Sequence, residues 1–157
     1  MKLGIISDTH IPTKVKKLPE ELLTGLQGVD MIIHAGDIAA QRVLGQLAEI
    51  APVKAVIGNI DPPTLDLPLR LDLEINGYNI GIVHGHNLRG HIMDKLGYIF
   101  PEADIIIFGH THIPCNKKIN GQLYFNPGSP TDRRLQPRHS YGIINLGDSI
   151  KSQIIKF

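Results

Sequence analysis

Residues 2–10 read KLGIISDTH, a short apolar run that ends at an aspartate, a threonine and a histidine. An apolar run of this length, bounded by polar residues, predicts a buried β-strand. The same pattern returns in residues 31–37, MIIHAGD, and in residues 104–112, DIIIFGHTH. These stretches therefore predict buried strands that each end at side chains capable of chemistry.

Helical segments separate the first strands. Residues 19–26 and residues 39–49 are predicted to be helical, and residues 53–57 predict a third strand that ends at Gly58-Asn59. Strands that alternate with helices form a parallel sheet with the helices packed on it. We therefore expect a parallel sheet in the first part of the chain.

The second half of the chain carries hairpin signals instead. Asn76-Gly77, Asn120-Gly121 and Gly147-Asp148 each lie between two apolar segments, and such pairs favour the tight turn of a β-hairpin. One further helix is predicted over residues 89–98. We predict a single α/β domain, residues 1–157, that contains two sheets.

Composition limits the class of protein. The chain has 157 residues, and its Lys+Arg count of 16 against an Asp+Glu count of 15 gives a net charge of +1. A charge this small argues against broad electrostatic capture of nucleic acid or of an anionic membrane. The single Cys115 excludes an internal disulfide framework, and no apolar run approaches the roughly 20 residues that span a bilayer. We expect a cytoplasmic protein.

Polar clusters stand at the ends of the apolar runs. The clusters are Asp8-Thr9-His10, Gly36-Asp37, Gly58-Asn59-Ile60-Asp61, His84-Gly85-His86 and Gly109-His110-Thr111-His112. Taken alone, the first three clusters are typical of a turn or a helix cap. His84-Gly85-His86 alone leaves both interpretations open, and Gly109-His110-Thr111-His112 after its apolar run favours a metal site. In open α/β sheets, however, ligands bind beyond the carboxyl ends of the strands, so the clusters together predict one convergent site.

The residue types in these clusters suit divalent metal ions. Carboxylate oxygens and neutral imidazoles bind manganese, iron, nickel, cobalt or zinc, and the amide oxygen of Asn59 can bind without adding charge. No thiolate belongs to the set, which argues against a structural zinc–cysteine site.

At these residues the sequence resembles the calcineurin-like metallophosphoesterase superfamily, whose ordered pattern is Asp-x-His, Gly-Asp, Gly-Asn, a mid-chain His and Gly-His-x-His. The size of the chain and the stretch Asn126-Pro127-Gly128-Ser129 resemble its small single-domain phosphodiesterase branch, which includes a retromer subunit. The resemblance implies a four-layer α/β/β/α sandwich of two mixed sheets flanked by helices.

The resemblance also implies two metal ions per chain, with manganese expected first and nickel, iron, cobalt, zinc or magnesium as alternatives. Asp37 would bridge the two ions. The implied ligands are Asp8, His10, Asp37 and His112 for one ion, and Asp37, Asn59, His84 and His110 for the other. Ions in this arrangement would clamp a phosphoryl group, and a hydroxide that bridges them would attack phosphorus in line.

One position departs from the family pattern. Many superfamily enzymes carry a histidine directly after Gly-Asn, and this chain has Ile60, which cannot donate a proton. The candidate catalytic residues are therefore His86 and Asp61, and Asn59 and His86 are candidates for substrate contact. A weak acid in the site favours phosphodiesters that have good leaving groups.

Two alternatives stay open besides a hydrolase of a small phosphodiester or a nucleotide-related compound. The retromer-type relative is similar over much of the chain but exchanges Asp and Asn at the second and third motifs, and a protein-interaction scaffold is therefore one alternative. Asp37 and Asn59 stand here in the enzyme arrangement. A nuclease is the other alternative, and the near-neutral charge argues against it. The exposed hairpin edges leave self-association open.

Several charged and polar residues lie outside this pattern. We expect His34 to be hydrogen-bonded and half-buried rather than a ligand. The basic residues Arg133, Arg134 and Arg138, and also Lys14, Lys16 and Lys17, are interpreted as solvated charges. Contact between the arginines and a substrate phosphate is the alternative, because a guanidinium suits bidentate phosphate binding.

Overall fold

The computed structural model describes residues 1–88, 90 and 92–157, and these residues form ten strands, three α-helices and one short 3-10 helix. The strands are β1 Lys2–Ile6, β2 Met31–His34, β3 Val53–Ala55, β4 Arg70–Ile75, β5 Tyr78–Val83, β6 Ile105–Phe108, β7 Cys115–Ile119, β8 Gln122–Asn126, β9 Ser140–Leu146 and β10 Ile150–Lys156. The helices are α1 Glu20–Gly25, α2 Gln41–Ala48 and α3 Ile92–Ile99, and the 3-10 helix is Pro63–Leu65. None of the described helices is long and apolar enough to cross a membrane.

The strands form two mixed sheets of five strands each. The first sheet has the order β10-β9-β1-β2-β3, and the second has the order β4-β5-β6-β8-β7. Strands β1, β2 and β3 run parallel, and the antiparallel strand β9 joins them on the other side of β1. In the second sheet, β5, β6 and β8 run parallel between the antiparallel edge strands β4 and β7. The expected parallel sheet is thus present, but antiparallel strands extend it.

The two sheets pack face to face, with helices on both outer faces. Ile5 and Ile33 face the second sheet, whereas their chain neighbours Ile6 and Ile32 face helices α1 and α2. In the second sheet, Ile106 faces α3. Both faces of these strands are buried, which explains why the sequence shows apolar runs rather than alternation. The predicted four-layer α/β/β/α sandwich is confirmed.

The predicted start of helix α2 and the predicted end of strand β3 were each wrong by two residues. Helix α2 begins at Gln41 rather than at residue 39, because the Ala39 N–H is donated to the Asp61 carboxylate at 2.6 Å and Ala40 is extended. Strand β3 ends at Ala55 rather than at residue 57, because the Ile57 N–H is donated to a carbonyl of the following loop. Both segments leave regular structure to build the loops of the candidate site.

The three hairpins form where they were predicted. Asn76 and Gly77 have φ angles of 53° and 79°, and Asn120 and Gly121 have φ angles of 49° and 88°. Positive φ at both central residues is the mark of the type I′ turn, which matches the twist of the strands. The helix predicted over residues 89–98 is present as α3, and residues 89 and 91 lie outside the described residues.

The topology brings the polar clusters to one edge of the sandwich. The parallel strands β1, β2 and β3 end next to the clusters of Asp8, Asp37 and Asn59. The parallel strands β5 and β6 of the facing sheet end next to the clusters of His84 and His110. Each cluster follows the carboxyl end of its strand, where ligands of open α/β sheets bind.

The packing between the sheets depends on large apolar side chains such as Phe125, which is fully buried. Its ring lies so close to the backbone of Gly142 in the other sheet that a Cβ there would be 2.2 Å from the Cε1 atom of the ring. Removal of this ring therefore opens a cavity between the sheets.

We predict that Phe125→Ala lowers the free energy of unfolding by about 3–5 kcal/mol. Urea denaturation followed by circular dichroism measures the change. Leu135→Ala is the matched control, because the side chain of Leu135 is 98% exposed and its truncation should change stability by less than about 0.5 kcal/mol. Similar destabilisation by both substitutions would contradict this account of the interface.

Candidate metal centre

Asp8, His10 and His112 form the first cluster of potential ligands. All three are buried, and the Nε2 atom of His112 lies 3.2 Å from Asp8 Oδ1 and 3.2 Å from His10 Nε2. Two ring nitrogens that face each other beside a carboxylate are typical of a site that holds a cation. The first cluster thus offers one oxygen and two nitrogens at a single point.

Asp37, His84 and His110 form the second cluster of potential ligands. The Nε2 atom of His84 lies 3.3 Å from Asp37 Oδ1, and one potential ligand atom from each of the three residues lies within 4.8 Å of the others. His84 is fully buried, Asp37 is almost so, and His110 is partly exposed. The second cluster has the same donor set as the first.

The Asp37 carboxylate connects the two clusters. Its Oδ1 atom faces His84, and its Oδ2 atom lies 3.5 Å from the Nε2 atom of His10 in the first cluster. One carboxylate therefore presents one oxygen to each cluster. This is the geometry that a carboxylate needs if it bridges two ions.

Several of the potential ligand atoms have no hydrogen-bond partner. Among the described residues, Asp8 Oδ1, His84 Nε2 and His110 Nδ1 are buried and have no hydrogen-bond partner. A buried polar atom without a partner costs about 1–3 kcal/mol, so native proteins rarely leave several of them together. Divalent cations would satisfy these atoms, and the donor set therefore fits two metal ions.

Hydrogen bonds on the far side of two imidazoles orient them. The Nδ1–H of His84 donates to the Ala35 carbonyl at 2.7 Å, and the Nδ1–H of His112 donates to the Asp132 carbonyl. These bonds leave the Nε2 lone pair of each ring directed into the site. Histidines that bind metals are commonly held by a bond of this kind, which sets the tautomer.

Charges within the site stabilise the ionised carboxylates. Burial raises the pKa of the Asp8 carboxyl, but the imidazoles of His10 and His112 outweigh this effect and hold the pKa well below its usual range. Burial likewise raises the pKa of Asp37, and His84 beside it lowers the pKa below the usual value. Burial lowers the pKa of His84, but the Asp37 carboxylate raises it above the ordinary value. Both carboxylates are therefore negatively charged at neutral pH.

Most of the ligand residues have a strained backbone. Residues other than glycine rarely adopt positive φ angles, yet potential ligands in both clusters do so. The angles are 57° at Asp8, 47° at His10, 58° at Asp37, 65° at His110 and 58° at His112. Such residues cluster at functional sites, because the surrounding structure must hold them in place.

The loop that follows β8 supplies part of this support. The Ser129 hydroxyl donates to the Asp8 carbonyl at 2.7 Å, and the Thr131 hydroxyl donates to the Thr9 carbonyl at 2.6 Å. Asn126, the last residue of β8 itself, donates to the Gly109 carbonyl at 2.9 Å, just before the last histidine pair. The sequence analysis did not single out Thr131, and no local pattern marks it, because its partners lie more than 100 residues away along the chain.

Asp61 is not directed at the metal centre. Its carboxylate accepts hydrogen bonds from the backbone N–H groups of Asp37 at 3.0 Å, Ala39 at 2.6 Å and Gly58 at 2.7 Å. With both oxygens engaged by donors, the carboxylate ties the loop after β2 to the loop after β3. Asp61 is thus placed to position Asp37.

Three further residues that the sequence analysis named lie at the rim of the site: Asn59, Ile60 and His86. Asn59 is exposed and follows Gly58, and His86 is partly exposed with its ring centroid 5.5 Å from that of His84. Ile60 is 38% exposed, and its backbone N–H donates to Asp37 Oδ1 at 3.1 Å. His34 is fully buried rather than half-buried, and its Nε2 atom lies 3.1 Å from the Thr9 hydroxyl.

A family model described as the calcineurin-like phosphoesterase superfamily domain matches residues 1–149. The chain belongs to this superfamily. A probable metallophosphoesterase of Methanothermobacter thermautotrophicus is 34% identical over 159 residues, which cover 99% of this chain and 92% of that protein. A phosphodiesterase of Methanocaldococcus jannaschii is 28% identical over 144 residues, with 82% of this chain and 83% of that protein covered.

The fold of this calcineurin-like domain is shared with solved structures. A variant of Vps29 from Entamoeba histolytica superposes with a TM-score of 0.85 and 24% identity, covering 100% of this chain and 99% of that chain. At this identity the likeness concerns the fold alone. The chain is thus a member of the metallophosphoesterase superfamily that carries candidate ligands for divalent metals.

Asp61→Asn tests the positioning of Asp37 in the calcineurin-like domain. In asparagine an NH2 group replaces one of the two carboxylate oxygens, and this group cannot accept a hydrogen bond. The backbone N–H groups that donate to that oxygen of Asp61 therefore lose their partner. We predict that the free energy of unfolding of the metal-free protein falls by about 1–3 kcal/mol, measured by urea denaturation.

The matched control for this experiment is Asp66→Asn. Asp66 is exposed and adopts the left-handed conformation that asparagine also tolerates, so its substitution should leave stability unchanged. If Asp61→Asn were as stable as this control, the three backbone hydrogen bonds of Asp61 would not hold the site.

Proposed function

We propose that the chain is a two-metal phosphodiesterase that hydrolyses a small, nucleotide-related phosphodiester. The observation that carries this proposal is the Asp37 carboxylate, which presents one oxygen to each of two histidine clusters. The membership of the chain in a phosphoesterase superfamily supports it, and so does a relative named as a phosphodiesterase.

We assign the first ion to Asp8, His10, Asp37 and His112, and the second to Asp37, Asn59, His84 and His110. The first assignment adds Asp37 to the first buried cluster, and the second adds Asn59 to the second cluster. Asn59 is exposed at the end of the loop after β3, one residue from Gly58 beside Asp37. We propose manganese as the metal.

When bound, two such ions activate water and offset the charge that develops on the phosphoryl oxygens. The residues of this chain set the geometry for that chemistry. Asp8 and Asp37 remain ionised, and the orienting bonds to Ala35 and Asp132 keep the lone pairs of His84 and His112 directed inward. Fixed ligands of this kind need no rearrangement when the substrate reacts.

His86 and Asp61 take different roles in the proposed mechanism. His86 lies at the rim, 6.4 Å from the His110 ring between centroids, and we propose that it contacts the substrate and donates to the leaving group. We propose Asn59 as a further substrate contact. Asp61 acts as a positioning residue, because its oxygens are engaged by backbone N–H groups.

A protein-interaction scaffold is the second candidate function. It is favoured by large apolar side chains that are exposed next to site residues. Ile113 follows the ligand His112 and is 56% exposed, and Ile60 at the rim is 38% exposed and cannot donate a proton. We place either activity in the cytoplasm, where the half-buried lone Cys115 stays reduced.

Metal dependence is the first test. We predict that the metal-stripped protein is inactive, and that added Mn²⁺ restores hydrolysis of bis(p-nitrophenyl) phosphate more than hydrolysis of p-nitrophenyl phosphate. Asp37→Ala should lower turnover by more than about 10³-fold and should reduce the metal content below the wild-type value of about two ions per chain. Turnover is measured by the release of p-nitrophenolate, and metal content is measured by inductively coupled plasma mass spectrometry.

Asp148→Ala serves as the control, because Asp148 is exposed in the turn between β9 and β10. Full turnover in Asp37→Ala would contradict the assignment of two metals. The wild type could also bind two ions and yet show no turnover with Mn²⁺, Ni²⁺, Mg²⁺ or Zn²⁺. That result would favour the protein-interaction scaffold.

The role of Ile60 is tested by Ile60→His. A titratable group at this exposed position should speed hydrolysis of diesters with poor leaving groups by about tenfold or more, and should change p-nitrophenyl diesters little. Ile60→Gln is the control, because its amide is polar but does not donate a proton. An equal gain for good and poor leaving groups would show that protonation is not limiting.

A further inference from the structure

A groove of about 810 Å³ opens beside the first metal cluster, with His10 in its wall. This volume lies in the range of pockets that hold a small organic ligand and exceeds what a single phosphate needs. Its lining combines apolar side chains, including Ile60 and Pro62, with the charged side chains of Lys14, Asp132 and Arg134. The groove therefore offers both a surface for an organic group and charge for an ion.

The guanidinium of Arg134 is the positively charged group of this groove that is available to a ligand. Lys14 lies 3.5 Å from the Asp132 carboxylate, which offsets its charge. Arg134 forms no ion pair among the described residues, and its hydrogen bond to the His110 carbonyl is long, at 3.5 Å. A planar guanidinium with open donors suits bidentate binding of an anionic group.

The backbone that carries Arg134 is held by the metal centre itself. Asp132 donates its N–H to the Ser129 hydroxyl at 2.8 Å, and its carbonyl accepts the Nδ1–H of His112. Arg134 adopts the left-handed conformation, with φ 48°. The backbone of Arg134 is thus anchored, and its guanidinium reaches the His110 carbonyl and lines the same groove as His10.

We infer that the groove binds one ester arm of the diester, and that Arg134 binds a second anionic group on that arm. This inference rests on the proposed phosphodiesterase activity and names its substrate class. The apolar lining packs against the organic part of the arm, and Lys14 adds a weaker attraction. The substrate is thus a phosphodiester in which one alcohol carries a further phosphate or carboxylate, as in a nucleoside bisphosphate.

Two substrates that differ only in the second anion test this inference in the Mn²⁺-loaded protein. They are thymidine 5′-(p-nitrophenyl phosphate) and the same compound with a 3′-phosphate. We expect kcat/KM to be about tenfold higher for the 3′-phosphate compound, and we expect this preference to be lost in Arg134→Glu and reduced in Arg134→Gln. A 3′-succinyl analogue shows whether a carboxylate replaces the phosphate.

Charge reversals outside the groove are the controls. Arg138→Glu and Lys16→Glu change the net charge by the same amount at exposed positions, and they should leave the preference unchanged. An equal loss for both substrates in Arg134→Glu would show that Arg134 binds the reacting phosphate, and it would overturn the inference. Equal kcat/KM values in the wild type would overturn it while the proposed activity stands, whereas no turnover of either substrate would overturn both.

A binding measurement makes the test independent of turnover. Thymidine 3′,5′-bisphosphate is titrated into metal-free ¹⁵N-labelled protein, and the Nε–H signals of the arginines are followed by NMR. We expect a saturable shift of the Arg134 signal, with the Arg138 signal unchanged. A titration that leaves the Arg134 signal unmoved would overturn the inference.

Discussion

The Asp37 carboxylate is the constraint on which the rest of the site depends. It is almost completely buried and ionised, and each of its oxygens faces a different histidine cluster. A buried negative charge is stable only when positive charge or hydrogen-bond donors surround it. The Ile60 N–H supplies one donor, and a cation on each side would supply the remaining charge.

Close packing around this carboxylate dictates which residues its neighbours can be. A Cβ at Gly58 would lie 2.1 Å from Asp37 Oδ1, and a Cβ at Gly36 would lie 2.7 Å from His84 Nδ1. Both positions therefore require glycine. Asp61 holds the same two loops together through backbone N–H groups, while Ser129 and Thr131 hold the backbone of the first ligand loop. These bonds balance the cost of the left-handed conformations at the ligands.

Loops at one edge of the two sheets carry the potential metal ligands and also connect them to the groove. The parallel strands of both sheets end at the same edge, so the ligands come from loops that are short and anchored at one end. The loop after β8 links that centre to the groove, since Asp132 accepts from His112 and lies 3.5 Å from Lys14. Ile60 lines the groove, and its backbone N–H donates to Asp37 Oδ1, so this residue connects the groove to the bridging carboxylate.

Local features of the structure could be predicted from the sequence by itself. Apolar runs such as residues 104–108 predicted the buried strands, and Asn76-Gly77 and Asn120-Gly121 predicted hairpins, because backbone preferences act over a few residues. The ordered motifs also named the residues that meet in the two clusters of potential ligands.

Only the tertiary structure decided which distant groups meet. The start of α2 depends on Asp61, and the exposed charges of Lys14 and Arg134, which were interpreted as solvated, line one groove together. Ser129 and the Asp8 carbonyl are 121 residues apart along the chain, yet they form a hydrogen bond of 2.7 Å. No local pattern encodes such a contact, because it exists only once the two sheets have packed and brought their loops to one edge.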